Sequence, residues 1–289
     1  MRNTRRALLV SLLLTALTGL CGLTRPPATA PPIDPVLRVQ FLGTGAAWPV
    51  PRLGCSCATC DAARTTSPRT RRLRSSLLLG TSPFLVVDIG PDIYRQLVDL
   101  PQPRPAAVLL THTHQDHAGG VSDLHPLTQR LALPLLSAPP IWDDLLAESR
   151  FARSTFLFRD ARAPVSVGAY SVRSFPLEHG THSVGFRVEA QGHALGYVTD
   201  VDRVPDETLP ALQNLDLMIL DGTNVGDKHP SPAHISPDGI RALVARTHPK
   251  RLLFTHVGHA APPHERLSAD VRASYEAADV AYDGFTTQF

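Results

Sequence analysis

Short apolar runs punctuated by Gly and Pro recur along the chain from residue 37 onward. Leu37 to Leu42, Leu77 to Leu79, Phe84 to Asp88, Ala107 to Thr111 and Leu133 to Ser137 read as strands. A second set comprises Val165 to Phe175, Gly185 to Glu189, Ala194 to Thr199, Leu215 to Leu220, Arg251 to Thr255 and Val280 to Tyr282. Helical stretches fit between some of these, at Asp92 to Val98, Asp206 to Asn214, Pro237 to Ala245 and Pro263 to Ala277. Ser236 and Pro237 supply an N-cap and a first-turn residue for the third of them. No repeat, low-complexity core or linker interrupts the pattern after Pro35. Strands with interspersed helices predict one layered α/β domain over residues 37–289.

The first thirty residues differ in kind. Arg2, Arg5 and Arg6 precede an apolar run from Ala7 to Leu23, which reads as an export signal or a membrane anchor. Ala28-Thr29-Ala30 fits a small-x-small cleavage site, with Pro31 unfavourable directly after it. Cys21 offers lipidation as an alternative, with Leu20 where a small residue is expected. The Pro-rich residues 31–36 read as a tether. Export to the periplasm, free or attached to the membrane through the N-terminus, is the expected location.

Setting this segment aside changes the charge. The 289-residue chain carries 28 Lys and Arg against 26 Asp and Glu. Without Arg2, Arg5, Arg6 and Arg25 the balance is 24 against 26, a formal charge of −2. The body has no general field for polyanions, and a nucleic acid partner is not expected. An apolar fraction of 43% with 19% charged residues is ordinary for a globular protein and excludes disorder.

Chemistry is concentrated in Thr111-His112-Thr113-His114-Gln115-Asp116-His117, directly after a strand. On extended backbone His112 and His114 point the same way and can share one metal, while a turn lets Asp116 and His117 reach a second. Three histidines and an aspartate in six residues have no packing use.

The HxHxDH spacing resembles the signature of the metallo-β-lactamase-fold hydrolases, and the resemblance extends from Leu37 to the C-terminus. It implies a four-layered αββα sandwich. It also implies that His179 in Leu177-Glu178-His179, Asp200 after Tyr197-Val198-Thr199, and His256 after Phe254-Thr255 complete the ligand set. By that match His112, His114 and His179 hold one metal, Asp116, His117 and His256 the other, and Asp200 bridges them. Nitrogen and oxygen ligands suit Zn²⁺ or Mn²⁺.

Gly54-Cys55-Ser56-Cys57-Ala58-Thr59-Cys60 resembles the CxCxxC insertion of one branch, which includes the cyclic phosphodiesterases of phosphonate breakdown and the pyrroloquinoline-quinone synthesis proteins. The resemblance implies a closed structural zinc site of Cys55, Cys57, Cys60 and His259. A redox pair among the three thiols is the alternative in an exported protein.

Other features are softer. Gly43-Thr44-Gly45 matches the family turn that lets backbone approach the metals, or is a plain tight turn. Arg69, Arg71, Arg72 and Arg74 read as a solvated charge run, with phosphate binding as the alternative. Asp88 is expected to orient a ligand histidine. His234, in Ala233-His234-Ile235-Ser236, falls where the cyclic phosphodiesterase has a proton donor. His182, His193, His229 and His248 receive no role.

These readings converge on a dinuclear-metal hydrolase of a small, cyclic phosphodiester, with Asp116 and His234 as catalytic residues. Two alternatives stand beside it. One is an oxidative enzyme of quinone-cofactor synthesis, which Asp221-Gly222-Thr223 and Tyr282-Asp283-Gly284 resemble; the other is a metal-binding or carrier protein without turnover.

Overall fold

The computed structural model describes residues 37–81, 83–101, 104–128 and 132–288, so the expected signal and tether lie outside the described residues. Six strands build most of the first sheet: β1 (Arg38–Gly43), β2 (Ser76–Leu79), β3 (Leu85–Val87), β4 (Ala107–Leu109), β5 (Leu133–Ser137) and β6 (Phe156–Asp160). The second comprises β7 (Val165–Val167), β8 (Tyr170–Glu178), β9 (His182–Ala190), β10 (His193–Val198), β11 (Leu217–Asp221), β12 (Leu252–Thr255) and β13 (Ala278–Val280). The last strand, β14 (Thr286–Gln288), returns to the first sheet. The orders are β14-β1-β2-β3-β4-β5-β6 and β13-β12-β11-β10-β9-β8-β7.

Period-two alternation sorts the second sheet between two cores. Leu195, Tyr197, Leu217, Ile219 and Leu253 share an apolar cluster with Val39, Phe41, Leu77 and Leu79 of the first sheet. Val198, Met218, Leu220, Leu252 and Phe254, one residue out of phase, form another with Ile240, Leu243, Leu267 and Val271 of the helices Pro237–Thr247 and His264–Ser274. Helices Ile93–Leu97, Val121–Leu124 and Pro139–Glu148 contribute Ile93, Leu97, Val121, Leu124, Ile141 and Leu145 to the first cluster. The result is the four-layered sandwich that the resemblance implies. Truncating any of these buried aliphatic residues to Ala should cost about 2–5 kcal/mol.

Strand direction places the site. β3 to β6 are mutually parallel, as are β10 to β13. Parallel strands end together, and the crevice outside their carboxyl ends is where open α/β sheets bind ligands.

Several boundaries differ from those expected. The stretch Val165 to Phe175 is two strands, because Gly168 adopts a left-handed φ of 60° and turns the chain so that Val167 faces Tyr170. Asp206 to Asn214 forms only a 3₁₀ segment, Asp206–Leu212, whose Pro210 lacks an N–H. Ala58–Thr65 is a helix that went unexpected because its apolar face is little more than Cys60 and Ala63. Pro139–Glu148 is a further unexpected helix, with Pro139 and Pro140 in its first turn, where a missing N–H costs nothing. Ser236 caps its helix as expected, its hydroxyl accepting from the Gly239 N–H at 3.0 Å. Among the described residues no helix is long and apolar enough to cross a membrane.

Candidate active site

Three side chains at strand ends organise the crevice. Asp88 follows β3, Asp200 lies two residues past the end of β10, and His256 follows β12; all three are non-glycine residues at left-handed φ, 60°, 51° and 58°. Such backbone costs about 1–3 kcal/mol per residue and concentrates at functional sites.

Donor accounting fixes the imidazoles. The Thr111 hydroxyl and N–H both lie 2.9 Å from Asp88 Oδ1 and donate to that carboxylate. Having given its only hydrogen, the hydroxyl accepts from His112 Nδ1 at 2.9 Å. Asp88 Oδ2 also accepts from His117 Nδ1 at 2.8 Å, so this aspartate orients a histidine of the cluster as expected. His179 Nδ1 donates to the Ala233 carbonyl at 3.1 Å. The Thr223 hydroxyl donates to the His256 carbonyl at 3.0 Å and accepts from His256 Nδ1 at 2.9 Å. In each case Nδ1 gives its proton to that acceptor, which leaves Nε2 as the nitrogen that faces the crevice.

Those nitrogens converge. Ligand atoms of His112, His114 and His179 lie within 4.8 Å of one another, as do those of Asp116, His117, Asp200 and His256. Asp200 spans the two groups: Oδ1 is 3.4 Å from His179 Nε2, while Oδ2 is 3.0 Å from His117 Nε2 and 3.3 Å from His256 Nε2. Asp116 Oδ2 faces the same pair at 3.2 and 3.4 Å. All seven residues expected as ligands are thus brought together, His114 exposed and the rest largely buried.

The fit to a cation rests on orphaned atoms. His112 Nε2 and His117 Nε2 are buried without a hydrogen-bond partner, although an unsatisfied buried polar atom costs about 1–3 kcal/mol. Burial holds the His112 pKa well below its ordinary value, which keeps the ring neutral and a competent ligand. Burial pushes the Asp116 pKa up, yet the nearby His117 and His256 rings outweigh it and leave the carboxyl ionised far below its usual range. Two adjoining sets of imidazoles and carboxylates suit divalent metals.

His234 stands at the edge of the cluster, its ring centroid 5.0 Å from that of His179 and 5.4 Å from that of His256. Its Nδ1 lies 2.7 Å from Asp221 Oδ2. Burial opposes its charged form, but the Asp221 hydrogen bond and the nearby carboxylates prevail and raise its pKa. Asp221, fully buried at the end of β11, also accepts from the Val201 and Thr223 N–H groups at 3.2 and 2.8 Å. Sequence reasoning gave Asp221 no such role. The signal was available, since it closes a parallel strand as Asp88 and Asp200 do.

The cysteine loop makes a separate cluster. Cys55, Cys57 and Cys60 are free thiols, and their sulfurs lie within 4.8 Å of each other and of His259. His259 Nδ1 is 3.6 Å from both Cys55 Sγ and Cys57 Sγ. Burial pushes the Cys60 thiol up to about 11 despite the Arg52 N–H on its sulfur.

One expectation needs correction. Arg72 is not part of a solvated run: it is 3% exposed, because Thr44, Ala281 and His264 take up its guanidinium. Its neighbours also have protein partners, Arg69 stacking over Tyr282, Arg71 reaching the Ala63 carbonyl and Arg74 pairing with Asp92. Of the two readings of Gly43-Thr44-Gly45, the tight turn is the one its packing supports, since both glycines press on the Leu73–Arg74 backbone. A Cβ on Gly43 would sit 1.9 Å from the Arg74 carbonyl oxygen, and one on Gly45 2.8 Å from that of Leu73.

Residues 84–257 match the family described as Beta-lactamase superfamily domain. The chain belongs to that superfamily and has its metallo-β-lactamase fold. Coenzyme PQQ synthesis protein B of Methylobacterium sp. strain 4-46 is 30% identical over 86% of this chain and 99% of its own length. An octanoyltransferase of Porphyromonas gingivalis is 25% identical, and the chain spans only 52% of it. Among solved structures, a diphosphatase of the PhnP family superposes with a TM-score of 0.76 at 25% identity, covering 88% of this chain and 98% of that one. Zn²⁺-bound PqqB of Methylobacterium extorquens gives 0.73 at 24% identity, over 87% and 100%.

Proposed function

We propose that the protein is a metal-dependent phosphodiesterase acting on a small, cyclic phosphodiester. The observation that carries this reading is the Asp221–His234 pair set against the metal-capable cluster, which offers a proton where a leaving oxygen would depart. A carrier needs no such pair.

His112, His114 and His179 would hold one divalent cation, Asp116, His117 and His256 a second, with Asp200 shared; Zn²⁺ or Mn²⁺ suits both. When bound, such a pair supplies a nucleophile from water and offsets charge growing on phosphoryl oxygens. The chain's own task is then to hold the ligand rings by Nδ1, leave the crevice open, and deliver a proton from His234. Asp221 fixes that ring so that Nε2 faces the reaction. Cys55, Cys57, Cys60 and His259 would take a structural zinc.

A cavity of about 720 Å³ adjoins His179, lined also by Asp144, Glu148, Glu178, His182 and Asp202. Glu178 is paired with Arg203 and Asp144 with His182, so it is Glu148 and Asp202 that would disfavour a second phosphate there. That favours a diester with one negative charge over a diphosphate. We place the protein outside the cytoplasm, with 1–30 as signal or anchor, 31–36 as tether, and a small-molecule partner rather than a nucleic acid.

Metal analysis combined with an activity screen on bis(p-nitrophenyl) phosphate and 2′,3′-cyclic nucleotides tests the proposal. Metal-dependent hydrolysis of the cyclic esters is expected, and a fully loaded protein inert on all of them would overturn it. The identity with coenzyme PQQ synthesis protein B favours an oxidative reaction as the second reading. Metal-dependent oxygen uptake without phosphate ester cleavage would establish that one instead.

A further inference from the structure

The dinuclear reading leaves a buried cation unexplained. Arg72 is 3% exposed, lies outside the metal-capable cluster, and is gripped from several sides. Its Nη1 donates to Thr44 Oγ1 and to the Ala281 carbonyl, each at 2.7 Å, and its Nη2 lies 3.4 Å from His264 Nδ1. Burial pushes its pKa down only to about 10, so it stays charged at neutral pH. Thr44 in turn donates its hydroxyl to Asp283 Oδ1 at 2.7 Å, while Asp283 Oδ2 accepts the Leu73 N–H at 2.6 Å.

What this locks is the backbone of residue 44. The Thr44 carbonyl accepts the Val257 N–H at 2.9 Å, and Gly45 forms a parallel bridge with Val257. Val257 is the residue after His256, whose φ of 58° is left-handed. The His256 peptide is therefore held on both sides, its carbonyl by the Thr223 hydroxyl and the following N–H by Thr44. A backbone conformation of this kind persists only where its surroundings over-determine it.

We infer that Arg72 is a positioning residue for the metal ligand His256, acting through Thr44 and the Val257 N–H. The inference rests on the dinuclear reading. It predicts that loosening residue 44 weakens the metal held by Asp116, His117, Asp200 and His256 more than the one held by His112, His114 and His179.

The test is Zn²⁺ titration of metal-stripped protein against a competing chelator, in wild type, Thr44→Val, Arg72→Met and the exposed control Arg71→Ala. Thr44→Val is nearly isosteric and keeps the backbone carbonyl, so it serves should Arg72→Met fail to fold. We expect one active-site affinity to fall about tenfold in Thr44→Val, within the reach of supporting residues around a metal. The other should stay within about twofold, as should both in Arg71→Ala. A double-mutant cycle supplies the reading that general destabilisation would not give: added to His256→Ala, Thr44→Val should cause no further loss of affinity. Equal weakening of both metals, unchanged affinities, or additive losses in the cycle would overturn the inference. A wild-type protein that takes up no pair of metals would overturn the dinuclear reading itself, and the inference with it.

Discussion

The two clusters able to take metals are built in opposite ways. In the strand-end cluster, His112, His117, His179 and His256 each give the Nδ1 proton to a dedicated acceptor and turn Nε2 inward. In the cysteine cluster the histidine is set the other way round. Arg52 Nη1 lies 3.3 Å from His259 Nε2, and a guanidinium can only donate, so the proton of that ring sits on Nδ1, facing Cys55 and Cys57. A metal held by the three sulfurs and Nδ1 would take the place of that proton. Hydrogen bonds prepare the first site before any metal arrives, whereas the second must be finished by its metal.

This contrast is easiest to break with a pair of substitutions. Asp116→Ala should abolish turnover while the melting temperature stays within a few degrees of wild type, because the surrounding strands hold the cluster without it. Cys57→Ala should do the reverse, releasing one metal equivalent and lowering the melting temperature by several degrees, with residual activity in whatever stays folded. Elemental analysis and calorimetry on both variants decide, and a Cys57→Ala protein with unchanged metal content and stability would end the structural-zinc assignment.

His234→Ala sharpens the comparison from the chemical side. Loss of a general acid should slow a cyclic ribose phosphate by about 10²-fold or more. An aryl diester, whose phenolate leaves without that proton, should be slowed little, with the metals still bound. Equal losses on both substrates would mean that His234 shapes the pocket instead. Smaller still is Thr223→Val, which strips His256 Nδ1 of its acceptor; metal affinity at the strand-end cluster should fall about 10- to 100-fold. No change in a chelator titration would show that Thr223 does not prepare the ligand.

Much of this site was legible before any fold was known. Three histidines and an aspartate at short spacing after a strand announce a metal cluster by themselves. His179, Asp200 and His256 are single residues scattered over the rest of the chain, and only resemblance connected them. The partners that fix proton positions were harder to see. Asp221 and Thr223 act on His234 and His256, 13 and 33 residues further along the chain, through contacts that no local pattern shows. Arg72 was misread because a run of arginines gives no sign of which member turns inward; Thr44 and Ala281, which receive it, lie 28 and 209 residues away. In the fold, runs of aliphatic residues located the central strands, while β6 is half exposed and the buried face of the helix Ala58–Thr65 holds only small residues such as Cys60 and Ala63.

The left-handed backbone at Asp200 carries a consequence for how stability and chemistry trade against each other. Glycine would adopt that φ at no steric cost, yet the chain keeps a carboxylate there. Asp200→Gly should therefore relieve about 1 kcal/mol or more of strain in the metal-stripped protein and lose the stabilisation that loaded metal confers on wild type. Melting curves with and without Zn²⁺ should rank the two proteins in opposite orders. Should wild type melt higher in both conditions, the carboxylate is a structural asset in its own right, and position 200 is no compromise.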